Sequence, residues 1–374
     1  MRTFGVEEEL LLVDAHTGLP LALAPEALAN AQDPGDGPEL DSEIHQEMIE
    51  AQSRAQLTTT ALLADVVTGR TRADSLVKPL GARAAALAMS PLHVRPHPTV
   101  DSRYSTMLEH YGITARGTLV CGCHVHVSIE SREEGVAVLD RIRNWLHVLL
   151  ALSANSPYAN GVDTGYASFR FAAWHQWQVA GPTDVFGSIE AYDTYEQVLV
   201  DTEVILDPGM LYLDARLSRK QPTVEVRVAD VCLDARDTAI LAALVRALVD
   251  TAAEEWRAGI PPVAIPSAAL RLAGWQAALT GVAGRLPHPE HGRGGDARDA
   301  VAALVAHVDR ALVANGDDAE VREGLKRMLA TGGGAGRQRE AFGRRGHLRD
   351  VVEEAVAVTH ASGGAAAGAG LSVA

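Results

Sequence analysis

TLVCGCHVHVSI, residues 118–129, is the stretch from which the fold can be read. Val125, Val127 and Ile129 alternate with His124, His126 and Ser128, the two-residue period of a strand with one apolar and one polar face. The same period recurs elsewhere. Residues 3–13 alternate about Phe4, Val6, Leu10 and Leu12, which puts Glu7 and Glu9 on one face and Glu8 on the other. Residues 43–52, EIHQEMIEAQ, supply Glu43, Glu47 and Glu50 on a second strand. In residues 222–229, Val224, Val226 and Val228 oppose Glu225 and Arg227, and a partner strand is expected at 210–217.

Around these strands, residues 58–86 and 132–152 read as helices, and 33–38 and 90–99 as loops. Residues 153–165, rich in Ser, Asn, Gly and Pro, form a loop long enough to carry function. From Asp234 onward the pattern is helical, interrupted at 287–296. Strands concentrate in the first two thirds without regular crossover helices between them. The fold class is therefore α+β, an antiparallel sheet with a charged face and a helical C-terminal third. A single domain is expected over residues 1–360, with a disordered Gly/Ala tail at 361–374.

Composition narrows the function. Of 374 residues, 33 are basic and 48 acidic, a net charge of −15, so bulk charge offers nothing to nucleic acid or an anionic membrane. The segment MRTFGVEEEL carries acid where a secretion signal needs an apolar run, which makes the expected location cytoplasmic. Cys121, Cys123 and Cys232 are too few for a disulfide framework and read as small buried thiols. There is no GxxxxGK[ST], GxGxxG or GxSxG, which removes the P-loop, Rossmann and hydrolase-elbow templates.

Four strands with ionisable groups at alternating positions imply one charged sheet face. Several carboxylates with one or two imidazoles suit hard divalent cations, Mg²⁺ or Mn²⁺. Zinc fits worse, because Cys121-x-Cys123-His124 has no second pair to complete a tetrahedral set. His126 reads as a packing residue or a support behind the ligands rather than a ligand, and Trp174 and Trp177, three apart, as core.

The strings GVEEELLLVD, MIEAQS, CGCHVHVSI, ALSANSPYANGVDTGYASFR, PTVEVRVAD and GGGAGRQR, in that order, resemble the glutamate–cysteine ligase type 2 family, the YbdK-type carboxylate–amine ligases. That family is similar to the glutamine-synthetase-like superfamily, whose curved antiparallel sheet holds ATP and Mg²⁺ on a concave face with helices behind. The resemblance implies an ATP-dependent ligase that forms an amide through an acyl phosphate, with L-glutamate and L-cysteine giving γ-glutamylcysteine. It implies Glu7, Glu9, Glu50, His124 and Glu225 around the metals, and Glu7, Glu9 and Arg227 at the nucleotide. Glu225, Arg227 and Arg170 are the implied catalytic groups. Arg170, Asn155, Asp163 and Tyr166 are the implied substrate contacts. Glu43 is a weaker match. The stretch SAALRLAGWQAAL keeps Arg271 and Trp275 but lacks a glutamate and two arginines expected there. Another carboxylate or amine, or a non-catalytic nucleotide-binding relative, thus remains an alternative. The implied partners are small molecules, and the chain is compatible with a homodimer.

Overall fold

The computed structural model describes residues 1–31 and 37–361; most of the loop expected at 33–38 and the tail from 362 lie outside them. Strands come first: β1 (Phe4–Asp14), β2 (Glu39–Ser42), β3 (Met48–Gln52), β4 (Ala82–Ala85) and β5 (Gly122–Ser128). A short hairpin follows, β6 (Tyr158–Ala159) and β7 (Val162–Asp163), then β8 (Ala215–Leu217) and β9 (Thr223–Asp230). The last pair, β10 (Arg285–Pro287) and β11 (Gly294–Asp296), forms a separate ribbon in the interruption expected at 287–296.

The main sheet runs β2-β3-β1-β5-β9-β8, with β4 also on β1, and every pairing in it is antiparallel. The α+β reading therefore holds. Between the strands lie α1 (Ala24–Ala29), α2 (Thr59–Val77), α3 (Ser102–Tyr111), α4 (Ile113–Gly117), α5 (Arg132–Ile142), α6 (Leu146–Ser153), α7 (Phe169–Trp174) and α8 (Ile189–Asp201). The C-terminal third is α9 (Ala235–Arg257), α10 (Ser267–Thr280), α11 (Ala297–Asn315), α12 (Asp318–Thr331), α13 (Gly333–Arg345) and α14 (Leu348–Ala361). None of the described helices is long and apolar enough to cross a membrane.

Several expected boundaries move. Of the strand expected over 43–52 only Met48–Gln52, β3, is a strand; residues 43–47, with Glu43 and Glu47, form the connection from β2. The helix expected to Ala86 stops at Val77, and the chain turns through Gly81 into β4. The long helix expected over 132–152 breaks after Ile142. There Arg143 donates to the carbonyls of Thr183 and Ile265, and Asn144 donates to that of Pro289, so side-chain bonds to distant backbone accompany the break.

One face of the sheet is dry. Val125, Val127, Val224 and Val226 pack there with α5, α6 and α9 in the largest apolar core. Glu8 points into this same side and is 2% exposed. The Arg70 guanidinium of α2 meets it at 2.7 and 2.8 Å and also donates to the carbonyls of Cys232 and Leu233. The Thr238 hydroxyl of α9 donates to Glu8 at 2.6 Å. Glu8 thus pins α2 and α9 to the back of β1. Removing one partner of such a pair strands the other charge in a dry site, at a cost of about 3–5 kcal/mol. Arg70→Leu should therefore lower unfolding free energy by about that amount in urea titrations; a loss under about 1 kcal/mol would show that the clamp is dispensable.

Candidate active site

The opposite face collects the charges, and the register decides which of them meet. Glu9 lies directly across from Glu50, Glu7 across from Gln52 on one side and His124 on the other, and His126 across from Glu225. Arg216 of β8 faces Glu225 in turn. Across β5 and β9 the ladder slips. Val125 pairs with Val226 but Cys123 pairs with Ala229, so β9 carries one extra residue there, a β-bulge. Arg227 sits in that bulge and is 8% exposed.

Two sets of side chains on this face could hold a cation: Glu7, His124 and Glu225, and Glu9, Glu50 and His124, with ligand atoms in each set within 4.8 Å of one another. No cysteine takes part in either set, and all three thiols are buried with burial pushing them well above their ordinary range, as inert packing groups would be. His124 belongs to both sets. Its Nδ1 lies 3.1 Å from Glu7 and 4.0 Å from Glu225, and its Nε2 lies 4.0 Å from Glu9. Burial and then Arg227 push the imidazole below its usual value, which favours the neutral form that a metal requires.

The carboxylates divide into two electrostatic groups. Burial works against the Glu7 anion, but contacts with His124 and His126 hold its carboxyl far below the ordinary range. His126 Nε2 lies 3.3 Å from Glu7 and its Nδ1 3.0 Å from the Thr223 hydroxyl; burial alone would lower this imidazole, yet Glu7 raises it. His126 thus stands beside Glu7 and outside both ligand sets, as a support behind a candidate ligand. Burial likewise opposes the Glu225 anion, and Arg227 and Arg216 outweigh it. Arg216 grips Glu225 at 2.8 and 3.2 Å, and Arg227 Nη1 donates to the same carboxylate. Glu50 has no such cation. Burial, then the charges of Glu43, Glu7 and Glu9, raise its carboxyl well above normal, relieved only by Gln52 donating at 2.6 Å. Glu43 reaches the same spot from the turn, and burial followed by Glu9 lifts it to about 7.

At one end of the face stands Arg170 of α7, 2% exposed. It passes so close to β5 that a Cβ on Gly122 would lie 2.1 Å from its Nη2, so Gly122 has no side chain for a steric reason. Its side chain donates no hydrogen bond to a described residue; Asp230, at 3.9 Å, is its nearest anion, and it pairs with neither Asp163 nor Asp184. Asp230 also accepts from the hydroxyls of Ser156 and Ser168 and from the amide of Asn155, tying both ends of the expected loop to β9. That loop contains the hairpin β6–β7, turned by Asn160 and Gly161 at positive φ.

The other expected substrate contacts are held differently. Asn155 is fully buried, its amide donating to the carbonyls of Ala86 and Val231 and accepting from Gln338. Asn155 therefore supports the loop from beneath and does not face the charged surface, a correction to the contact expected of it. Asp163 is exposed and paired with Arg339 at 2.6 Å. The Tyr166 hydroxyl accepts from Trp275 Nε1 of α10. Trp174 and Trp177 stack edgewise on Tyr212, as core aromatics do.

The model of glutamate–cysteine ligase family 2 matches residues 3–355, nearly the whole described chain. The chain belongs to glutamate–cysteine ligase family 2. It is 50% identical over 366 residues, 96% of this chain and 95% of its relative, to a protein of Paenarthrobacter aurescens provisionally named glutamate–cysteine ligase 2-1. A Streptomyces coelicolor protein provisionally named glutamate–cysteine ligase 2 is 49% identical, over 97% of this chain and all of its own. Among solved structures, the fold matches a glutamate–cysteine ligase of Francisella tularensis in complex with AMP, with a TM-score of 0.71 at 13% identity, over 96% of this chain and 88% of that one. The family is one of carboxylate–amine ligases, and this chain is a ligase.

Arg216 and Gln52 were not singled out from the sequence. Each touches a face carboxylate only because of strand register, and the signal that could have found them is their even spacing from other face residues once β8 and β3 are aligned. The raised pair Glu43 and Glu50 carries a measurable consequence. Folding raises these carboxyls above their ordinary 4.5. The folded chain therefore holds protons that the unfolded chain has released, and this pair lowers stability as pH climbs from about 4.5 through 7. A divalent cation bound there would take the place of those protons. The gain in melting temperature on adding Mg²⁺ should be small at pH 5 and grow toward pH 8. Glu50→Gln should raise the metal-free melting temperature at pH 8 by roughly 2 °C and blunt the response to Mg²⁺. A response to Mg²⁺ independent of pH would contradict this account.

Proposed function

We propose that the chain is an ATP- and Mg²⁺-dependent ligase that joins a carboxylate to an amine through an acyl phosphate, with L-glutamate and L-cysteine as the substrates giving γ-glutamylcysteine. The observation that carries this reading is the pair of cation-ready sets sharing His124 on one face, with Arg227 set among them in the bulge. Glu7, Glu9, Glu50, His124 and Glu225 fit hard divalent cations by donor type, and the mutual repulsion that raises Glu50 is what such a charge would relieve. Bound there, Mg²⁺ supplies positive charge against the phosphates of the nucleotide. Manganese would suit the same donors.

The chemistry asks mainly for charge and position. A carboxylate is a poor electrophile, since direct attack by an amine would have to expel oxide. In the first step an oxygen of the substrate carboxylate bonds to the γ-phosphorus of ATP while the bond to the β-phosphate oxygen breaks and ADP leaves. In the second, the free amine attacks the acyl carbon, inorganic phosphate departs with the electron pair, and the nitrogen gives up one proton. Arg227 is held by Glu225, so its guanidinium is fixed in direction and can meet the transferring phosphoryl group without reorganising. Arg216 shares the load on Glu225 and keeps that carboxylate ionised. Arg170, buried and with no side-chain hydrogen bond to a described residue, is positioned to take an anionic oxygen of substrate or phosphate.

The reading with another amine acceptor is favoured by one observation, the loss of charged positions on α10, where Leu279 and Gln276 stand in place of expected arginines. Mass spectrometry of the product from ATP, Mg²⁺, glutamate and pooled amines identifies the acceptor. Glu225→Gln should cut ATP-dependent amide formation at least about a hundredfold while the melting curve stays cooperative; near-normal turnover in that variant would remove Glu225 from the reaction.

A further inference from the structure

The GGGAGRQR stretch, residues 332–339, opens α13 and takes no part in the chemistry above. Its glycines let this helix start hard against the loop that precedes α7. Gly332 and Gly333 turn the chain at positive φ, and the Ala335 amide then donates to the Ala154 carbonyl at 2.9 Å. A Cβ on Gly334 would run into Asn155 Oδ1, so any side chain there pushes α13 away.

That approach brings Gln338 within reach of Asn155. Gln338 Nε2 donates to the Asn155 backbone carbonyl at 2.8 Å and to its Oδ1 at 2.7 Å. The direction of the Gln338 amide follows from its partners: a carbonyl oxygen only accepts, and Asn155 Nδ2 is already given to Ala86 and Val231. The bonds continue inward from Asn155. Its backbone amide donates to Asp230, which also accepts from the hydroxyls of Ser156 and Ser168. Ser156 Oγ in turn accepts from the Arg170 amide at 3.0 Å, and Ser168 Oγ caps α7 through the Phe171 amide. Each side chain from Gln338 to Arg170 belongs to a residue no more than 2% exposed, so water is not at hand to replace a lost bond. The next residue, Arg339, grips the far end of the same loop at Asp163 and at the Tyr166 carbonyl. The Arg170 guanidinium itself has no hydrogen bond to a described residue, and its direction is inherited from the backbone of α7.

We propose that α13 aims Arg170, and that Gln338 is a positioning residue for the ligase reaction, acting through Asn155 and Asp230 without touching substrate. This rests on the reading that Arg170 meets an anionic oxygen of substrate or phosphate.

Hydrogen exchange reads the placement without turnover. In Gln338→Met, the amides of Asn155, Arg170 and Phe171 should exchange at least about tenfold faster than in the wild type, while those of Val6 and Val125 in the sheet keep their rates. Arg339→Gln, at a half-exposed site where folding is not at stake, should speed the Arg170 and Phe171 amides about threefold by freeing the other end of the loop. In amide formation, Gln338→Met should lower kcat/KM at least about tenfold on its own, but less than about twofold in an Arg170→Lys background, where nothing is left to aim. A residue that only supports the fold costs the same in both backgrounds. Unchanged exchange at those amides in Gln338→Met, or an equal loss in both backgrounds, overturns the proposal. Should the exchange rates respond as stated while the wild type forms no ATP-dependent amide with any acid and amine, the positioning by α13 stands and the ligase reading falls.

Discussion

Like charges opposed across a β-ladder set the terms for this molecule. Glu9 and Glu50 are register partners, and Glu7 is two residues from Glu9 on the same face. Bare carboxylates placed in this way repel, and strand pairing brings no relief of its own. The chain answers unevenly. Half-buried Glu7 has two histidines and buried Glu225 has two arginines, so both are held toward the anion. Glu50 has Gln52, and Glu43 has the Ile44 amide and the more distant charge of Arg227, but neither forms an ion pair with a described residue, and both carboxyls stay raised. A face that is half neutralised from within and half not is suited to an external cation, whose charge completes the balance.

The supports of that face come from opposite directions. Behind β1, the Arg70 clamp on Glu8 holds two helices against the sheet, so the middle glutamate of three fixes the backbone that presents its neighbours. In front, Asp230 at the end of β9 gathers Asn155, Ser156 and Ser168 and thereby sets where α7 begins. Arg170 follows two residues after Ser168, so one buried aspartate governs the placement of the guanidinium that lies over Gly122.

Much of this was legible in the sequence, and the limits have physical causes. Alternation alone assigns each residue to a face, so Glu7 and Glu9 were separable from Glu8, and His124 from Val125, before any pairing was known. Alternation does not say which strand lies beside which, so Arg216 and Gln52 could not be tied to their carboxylates. It also says nothing of turns. Glu43 reads as a strand residue because it opens the stretch 43–52, yet it reaches Glu50 from outside the strand. Asn155 shows the opposite failure: a polar residue in a matched loop looks like a ligand contact, while its amide is spent on the carbonyls of Ala86 and Val231. Hydrogen-bond satisfaction of this kind belongs to tertiary structure and leaves no local pattern.

The two halves of the site are built from material that tolerates change differently. The charged face depends on a period of two, and one inserted residue in β1 or β3 would turn every carboxylate beyond it toward the apolar side. Helix α10 is fastened by its backbone: the amides of Ala167 and Ser168 donate to the carbonyl of Ala278, and the Ser267 amide donates to Asp184. Its outward side chains, Arg271, Leu272 and Trp275, can be exchanged without disturbing that attachment. The fold thus separates a charged face that strand register holds fixed from a helix whose outward side chains are not bound into its attachment.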